Sequence, residues 1–161
     1  MVKFKGFPIQ AGSSIRFEEN IIRNGKVEIS DATVTSIQMA TKDETHITMV
    51  HMPAGVNVPD FALEPESMHT KFSELVGGSD IDFKDHPEFS KRYYLRGQNE
   101  EAVRQFFNFN VIGFFETNPE LHVEAHNNNL LIFKKRDLMS SSEIESTLKF
   151  GEELVKLISK K

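Results

Sequence analysis

The chain has 161 residues with 24 acidic and 19 basic side chains, and it contains no cysteine. The lack of cysteine excludes disulfides, thiolate nucleophiles, iron–sulfur clusters and cysteine-ligated zinc. The net charge of −5 argues against general nucleic-acid binding, because that function needs a basic surface that displaces counterions. A chain of this length can bury a hydrophobic core without crosslinks. We expect one α+β domain over residues 1–161, with any internal boundary near residues 53–59.

The first part of the chain predicts antiparallel strands. Asn24 and Gly25 lie between two β-like runs, and this pair favours a hairpin because both residues tolerate a positive φ. From residue 33 to residue 52 apolar and polar residues largely alternate, with a charged break at residues 42–44 that predicts a turn. The expected arrangement is an antiparallel meander.

Proline and glycine mark residues 53–59 as a connection between elements. Beyond it, Phe61 and Leu63 alternate briefly with other residues, as on a short strand. Pro65 then predicts the start of a helix that runs to about residue 76 and ends at the glycine pair 77–78.

Two further short strands are predicted after the glycine pair. Ile81 and Phe83 indicate the first strand, and residues 89–96 indicate the second. The His-Pro dipeptide at 86–87 predicts the bend between them.

Two helical segments follow. Asn99 is a favourable N-cap for a helix that begins at Glu100, where acidic residues suit the positive end of the helix dipole. Apolar residues 111–115 continue this helix or form a second short one, which the Asn-Pro dipeptide at 118–119 stops. We expect the phenylalanines of these segments to pack in the core rather than to form an apolar groove for a lipid or a partner helix; they are Phe106, Phe107, Phe109, Phe114 and Phe115.

The last part of the chain predicts a hairpin and a helix. Residues 121–125 alternate as a strand, the asparagine run 127–129 turns the chain, and residues 130–133 return it. Ser140 and Glu143 form a capping-box signature ahead of an amphipathic helix that ends the chain. The expected fold is therefore α+β, with an antiparallel sheet of a meander and hairpins packed by about three helices.

An acidic cluster is the candidate metal site. Asp80, Asp82, Asp85 and His86 lie within seven residues, and oxygen ligands at alternate positions suit a hard cation or a metal-assisted hydrolase. The favoured interpretation is structural, because Ile81 and Phe83 alternate with the aspartates as on a half-buried strand with a wet acidic face. The glycine and the distal glutamate of a calcium-binding loop are both missing here.

A second candidate site lies in the run from residue 91 to residue 96, which mixes cations with aromatic side chains. Tyr93 and Arg96 are its candidate binding residues, able to stack on a nucleotide base or pair with a phosphate. An ordinary strand with one charged face is the favoured alternative.

His122 and His126 are four residues apart, a spacing that on a helix would permit zinc binding. The alternation of their neighbours predicts a strand instead. Both histidines are then expected on the solvated side of that strand, about 13 Å apart.

Three stretches carry a resemblance to a known family. They are VPDFALEPE at residues 58–66, GGSDIDF at 77–83 and HPEFSKRYYLRG at 86–97. From about Val58 to the C-terminus, the chain resembles a family of uncharacterised, often membrane-anchored bacterial proteins that share this order of segments. The resemblance implies that Asp80, Asp82 and Phe89 belong to a family pattern, and it carries no activity with it. Similar proteins have a pair of membrane spans before this region, so any membrane contact is expected through segments absent from this chain.

No convergent set of nucleophile, base and orienting residue is recognisable in the sequence. We therefore expect a non-enzymatic ligand- or protein-interaction domain without a cofactor, with either a protein partner or self-association, and without nucleic acid. The alternative is a metal-dependent hydrolase that uses Asp80, Asp82 and His86. A third hypothesis is a structural domain that oligomerises through an exposed phenylalanine edge. The N-terminal residues lack an apolar run typical of a secretory signal, and we expect the chain in the cytoplasm or at the cytoplasmic face of a bacterial membrane.

Overall fold

The computed structural model describes residues 13–17, 22–24, 27–38, 41–68, 80–134 and 137–160. The strands are β1 (Ser13–Phe17), β2 (Ile22–Asn24), β3 (Val27–Gln38), β4 (Thr41–Pro53), β5 (Phe61–Pro65), β6 (Tyr93–Arg96), β7 (His122–His126) and β8 (Asn129–Phe133). The helices are α1 (Pro87–Arg92), α2 (Glu100–Phe106), α3 (Phe109–Thr117) and α4 (Ser141–Ile158), with a single 3₁₀ turn at Glu66–Met68. The predicted α+β class is confirmed, with four α-helices in these ranges where about three were expected.

The described strands form one antiparallel sheet in the order β1-β3-β4-β8-β7-β5-β6, with β2 also paired to β3. The strand β4 joins the two halves, because it pairs with β3 over most of its length and with β8 through its last residues, 50–53. Strands on both sides of the connection at residues 54–60 therefore belong to the same sheet.

Local sequence signals account for several boundaries. The predicted hairpin at residues 22–29 is confirmed, since β2 pairs with β3. The predicted hairpin of β7 and β8 is also confirmed, and it turns through Asn127 and Asn128 at φ of 50° and 59°. Two successive positive φ values are characteristic of the turn that matches the twist of a hairpin, and asparagine tolerates them better than most residues.

Side-chain caps define three helix starts. The side chain of Asn99 accepts a hydrogen bond from the backbone N–H of Ala102 at the start of α2. Asn108 caps α3 in the same way, which explains why the segment predicted as one or two helices divides there. Ser140 and Glu143 form the predicted capping box of α4.

The predicted turn at residues 42–44 is wrong. These charged residues lie inside β4, in register with residues 35–37 of β3. Backbone pairing along a long hairpin therefore overrides the weak strand propensity of the charged residues.

The predicted helix from Pro65 is wrong at its start, because Pro65 is the last residue of β5 and a 3₁₀ turn follows at Glu66–Met68. The rest of that prediction, up to residue 76, lies outside the described residues. Strand pairing of β5 with β6 reaches Pro65, and a proline is tolerated at the end of a strand.

The predicted strand at residues 89–96 is correct only over β6, because residues 87–92 form α1. Pro87 occupies the first turn of α1, where its fixed φ suits a helix and its missing N–H costs nothing. Glu88 in the first turn and Lys91 in the last turn complement the helix dipole. The predicted strand at Ile81 and Phe83 is also absent from the strands that the structure describes.

One face of the sheet supports the main core. Its fully buried strand residues, which include Val50, Leu63, Leu95, Val123 and Ile132, pack with the apolar faces of the helices. Phenylalanine dominates the helical side, and the rings of Phe107 and Phe115 stack 5.8 Å apart. The expectation that the phenylalanines of α2 and α3 lie in or against the core is confirmed for all of them except Phe109.

Candidate functional site

The acidic segment from Asp80 to His86 is an irregular turn that leads into α1. The backbone N–H of Phe83 donates to Ser90 Oγ at 2.9 Å, and the His86 N–H donates to the Phe83 carbonyl at 3.0 Å. His86 is the residue that precedes the first turn of α1. These bonds hold the segment against the beginning of the helix.

Asp80 completes the outer edge of β6. Its Oδ1 accepts a hydrogen bond from the Leu95 N–H at 2.9 Å, and the Ile81 N–H donates to the Leu95 carbonyl at 2.8 Å. An edge strand with free N–H and C=O groups invites pairing with another chain, so this arrangement protects the edge. Burial raises the pKa of the Asp80 carboxyl, the Leu95 hydrogen bond opposes that rise, and the charge of Asp82 adds to it.

Two substitutions separate the hydrogen bond of Asp80 from its charge. Asp80→Asn keeps an oxygen for the Leu95 N–H and removes a charge that burial disfavours, so we expect at least the parent stability at pH 7. Asp80→Ala removes the acceptor and is expected to lower the free energy of unfolding by about 1 kcal/mol. Urea unfolding of the three chains measures both effects.

The pH dependence of this comparison has a definite sign. Folding raises the pKa of Asp80, so the folded state binds that proton more tightly than the unfolded state does. The stability contributed by this proton is full below the unfolded pKa of about 3.9 and is lost as the pH rises through the folded pKa. The parent chain should therefore gain stability relative to Asp80→Asn as the pH falls from 7 towards 4. A difference that is independent of pH over this range contradicts the assignment.

A pocket of about 480 Å³ opens beside this turn. We call it the Phe109 pocket, and it is lined by Asp82, Phe83, Lys84, Asp85, His86, Arg104, Phe107, Phe109 and Ile112. Phe109 is 76% exposed, and its ring lies 5.8 Å from that of His86. The exposed ring beside a concave surface offers apolar area that a ligand could remove from water.

Arg104 forms one wall of the Phe109 pocket. Its guanidinium lies 2.7 Å from Glu100 Oε1, and its Nη1 donates to the Asp82 carbonyl at 2.7 Å. The same group sits 5.3 Å from the centre of the Phe83 ring. The positive charge of Arg104 is therefore already balanced within the chain.

The rim of the Phe109 pocket carries an excess of acidic groups. Asp82 and Asp85 are exposed, and Lys84 is the exposed cation between them. Behind the rim, His86 Nδ1 lies 3.7 Å from Glu116 Oε1. With Arg104 balanced, this surface favours a ligand that brings a positive charge.

The structure does not bring the three predicted metal ligands together as a metal site. Asp82 and His86 line the Phe109 pocket, whereas Asp80 is bound to Leu95 at the edge of β6. Across the described ranges, no group of three or more histidine, aspartate or glutamate side chains is placed to hold a metal ion.

The two predicted binding residues of β6 point to opposite faces of the sheet. Tyr93 lies in the helix-covered core, 1% exposed, and burial raises the pKa of its hydroxyl to about 12. Arg96 lies on the other face, with its guanidinium 5.4 Å from the centre of the Tyr94 ring. Tyr93 and Arg96 therefore do not form one site.

The expectation that His122 is solvated is wrong. His122 is 6% exposed, its ring stacks on Phe133 at 4.1 Å, and its Nε2 lies 2.7 Å from Glu124 Oε1. His126 lies further along the same strand, with its Nδ1 2.7 Å from Asp60 Oδ2. The second face of the sheet is thus partly buried, which strand alternation alone could not reveal.

The sequence indicated part of the Phe109 pocket and missed the rest. Asp82 and His86 were singled out as polar residues, but Phe109 was assigned to the core with its neighbours. The available signal was Asn108, because a cap between two short helices turns Phe109 away from the face that Phe107 buries. The pairing of Arg104 with Glu100 follows from their i,i+4 spacing, but its contacts with the Asp82 carbonyl and the Phe83 ring depend on tertiary packing.

Comparison of the chain with known protein families, curated proteins and solved structures gave no match. Among the described residues, no helix has the length and apolar character needed to cross a lipid bilayer.

Proposed function

We propose that the chain is a non-enzymatic protein-interaction domain that binds a partner through the Phe109 pocket. The observation that carries this proposal is the 76% exposure of Phe109 beside a concave surface whose rim bears Asp82 and Asp85. An apolar partner residue would bury the Phe109 ring, and removal of this apolar surface from water is favourable.

The charges specify the partner further. Asp82 and Asp85 favour a segment in which a lysine or arginine neighbours the apolar residue that contacts Phe109. Among the described residues that line the pocket there is no serine or threonine to act as a nucleophile. The alternative hydrolase has less support, because Asp80 is engaged by the sheet edge.

The test places the photocrosslinking analogue p-benzoylphenylalanine at position 109 of the full chain in its native host. We expect one dominant crosslinked protein whose yield falls at least about threefold in the Asp82→Asn, Asp85→Asn double variant, from the loss of two exposed charge contacts. A matched charge control is Glu152→Gln with Glu153→Gln, since both glutamates are exposed on α4. A matched position control carries the crosslinker at Leu138, which is 48% exposed.

An equal yield from position 138, or a yield that Asp82→Asn and Asp85→Asn leave unchanged, contradicts the proposal. Retention of the adduct in the Glu152→Gln, Glu153→Gln chain, together with its loss in the aspartate variant, supports it.

A further inference from the structure

A second concavity lies on the other side of the turn between α2 and α3. It has a volume of about 1190 Å³ and is bounded by the β4–β5 connection, the β7–β8 turn and the end of α4. Residues of the α2–α3 turn divide between the two sites. Phe106, Asn108 and Asn110 line this groove, whereas Phe107 and Phe109 line the Phe109 pocket.

Carboxamides dominate the polar lining of this groove, which we call the amide groove. They are Asn57, Gln105, Asn108, Asn110, Asn128 and Asn129. None of the residues that line it in the described ranges is acidic, and Lys160 is the cation at its rim. The whole chain carries 24 acidic residues, so the lack of acidic groups among these lining residues sets this surface apart from the rest of the chain. Such a lining favours a ligand with neutral hydrogen-bonding groups.

Hydrogen bonds within the chain hold two of these carboxamides, Asn108 and Asn128, in place. Asn128 Oδ1 accepts from the Val58 N–H at 3.0 Å while its Nδ2 donates to Asn57 Oδ1 at 3.2 Å. Asn108 Oδ1 accepts from the backbone N–H groups of Asn110 and Val111 at the start of α3. These bonds use the oxygen of Asn108, and its Nδ2 has no acceptor among the described residues. Preorganised donors lose little freedom when a ligand binds.

The apolar part of the amide groove is mainly aliphatic. Val56, Val111, Leu157 and Ile158 line it, and Phe106, the aromatic ring among its described lining residues, packs against Phe61 at 5.5 Å. Aliphatic walls suit the aliphatic side chains of a ligand. The volume also exceeds the range of about 300–1,000 Å³ that is typical of small-molecule sites.

We infer that the amide groove binds an extended, uncharged polypeptide segment of a partner protein. Asn108 Nδ2 and the side chain of Asn110 would hydrogen-bond to the backbone of the segment, and the aliphatic wall would contact alternate apolar side chains. This site is separate from the Phe109 pocket, and the inference does not depend on the proposed function of that pocket.

The test selects a phage-displayed library of random dodecapeptides on the full chain and compares variants. Asn110→Asp places one negative charge in the groove, and an acidic residue in the first turn of α3 is compatible with the helix. Asn99→Asp is the matched control, because it makes the same change at the cap of α2, where aspartate is also accepted. Chemical shifts of the asparagine side-chain amides of ¹⁵N-labelled chain locate the bound peptide.

We expect selected peptides that are poor in charged residues, that shift the Asn108 and Asn110 side-chain signals, and that bind Asn110→Asp at least about tenfold more weakly than Asn99→Asp. Selection of no peptide, or of peptides that Asn110→Asp binds as well as the parent chain, overturns the inference. Shifts caused by a panel of neutral oligosaccharides, with none caused by peptides, would also overturn it. Peptides that bind the Asn110→Asp chain but no longer bind the Phe109→Ser chain occupy the Phe109 pocket instead. The two proposals can therefore fail separately.

Discussion

Replacement of Phe107 by alanine is expected to lower the free energy of unfolding by about 3–5 kcal/mol, the range for truncation of a buried aromatic residue. Phe107 is 1% exposed. Its ring centre lies 5.0 Å from that of Phe61, 5.4 Å from Phe106 and 5.8 Å from Phe89. Removal of the Phe107 ring would therefore leave a cavity. The surrounding rings belong to different elements and cannot all move to fill it.

The matched control is Phe109→Ala, two residues along the chain. Phe109 is 76% exposed, so the same truncation is expected to change stability by less than about 0.5 kcal/mol. Guanidinium chloride unfolding, with the slope and midpoint fitted separately, gives both values.

Because Phe107→Ala removes a large fraction of the stability of a typical domain, Phe107→Leu and Phe109→Leu form a milder pair. The expected order is the same in that pair. Equal destabilisation of Phe107 and Phe109 variants would contradict the burial difference and would also remove the basis for the Phe109 pocket. If the Phe109→Ala chain is folded, any loss of binding that it shows is caused by the change at the surface and not by unfolding.

The sequence predicted those features that depend on a few neighbouring residues. The caps at Asn99 and Ser140 each satisfy backbone N–H groups within the next turn, so their signals are local. The turn at Asn127 and Asn128 is local for the same reason, because it requires only residues that accept a positive φ.

Features that depend on tertiary pairing were predicted less well. Residues 42–44 read as a turn, but pairing with β3 keeps them in β4. The alternation through residues 89–96 read as one strand, although Pro87 begins a helix that buries Phe89. In both cases a short pattern fits two structures, and contacts with distant elements decide between them.

The candidate site combines both situations. His86 and Asp82 were identified because polar residues cluster in the sequence. Phe109 could not be distinguished by sequence from four neighbouring phenylalanines that are buried or packed against the core. Asp80 shows a further limit, because its place in the cluster left a metal ligand open beside the favoured structural interpretation, and its oxygen pairs with a backbone N–H fifteen residues away. A carboxylate at a sheet edge has no sequence pattern that distinguishes it from a carboxylate in a binding site.

Arg92 joins α1 to the end of α3, and its loss is the second large effect that we expect. Its Nε donates to Glu120 Oε1 at 3.1 Å, its Nη2 donates to the Asn118 carbonyl at 3.2 Å, and its Nη1 donates to the Glu116 carbonyl. Two of these acceptors are carbonyls at the C-terminal end of α3, which lack partners within the helix. The guanidinium therefore caps the C-terminal end of α3 and also pairs with Glu120.

We expect Arg92→Ala to lower the free energy of unfolding by about 2–3 kcal/mol, because charge-assisted bonds are lost and half-buried acceptors lose their partner. Arg92→Lys should recover only part of this loss, since an ammonium cannot reproduce the planar fork that reaches three acceptors. Lys91→Ala is the matched control on the same helix, because Lys91 is an exposed cation paired with Glu88 at 3.1 Å. This substitution is expected to lower the free energy of unfolding by less than about 0.5 kcal/mol. Thermal and urea unfolding of the three variants tests this order, and an Arg92→Lys chain as stable as the parent would show that charge alone, without the fork, holds α1 and α3 together.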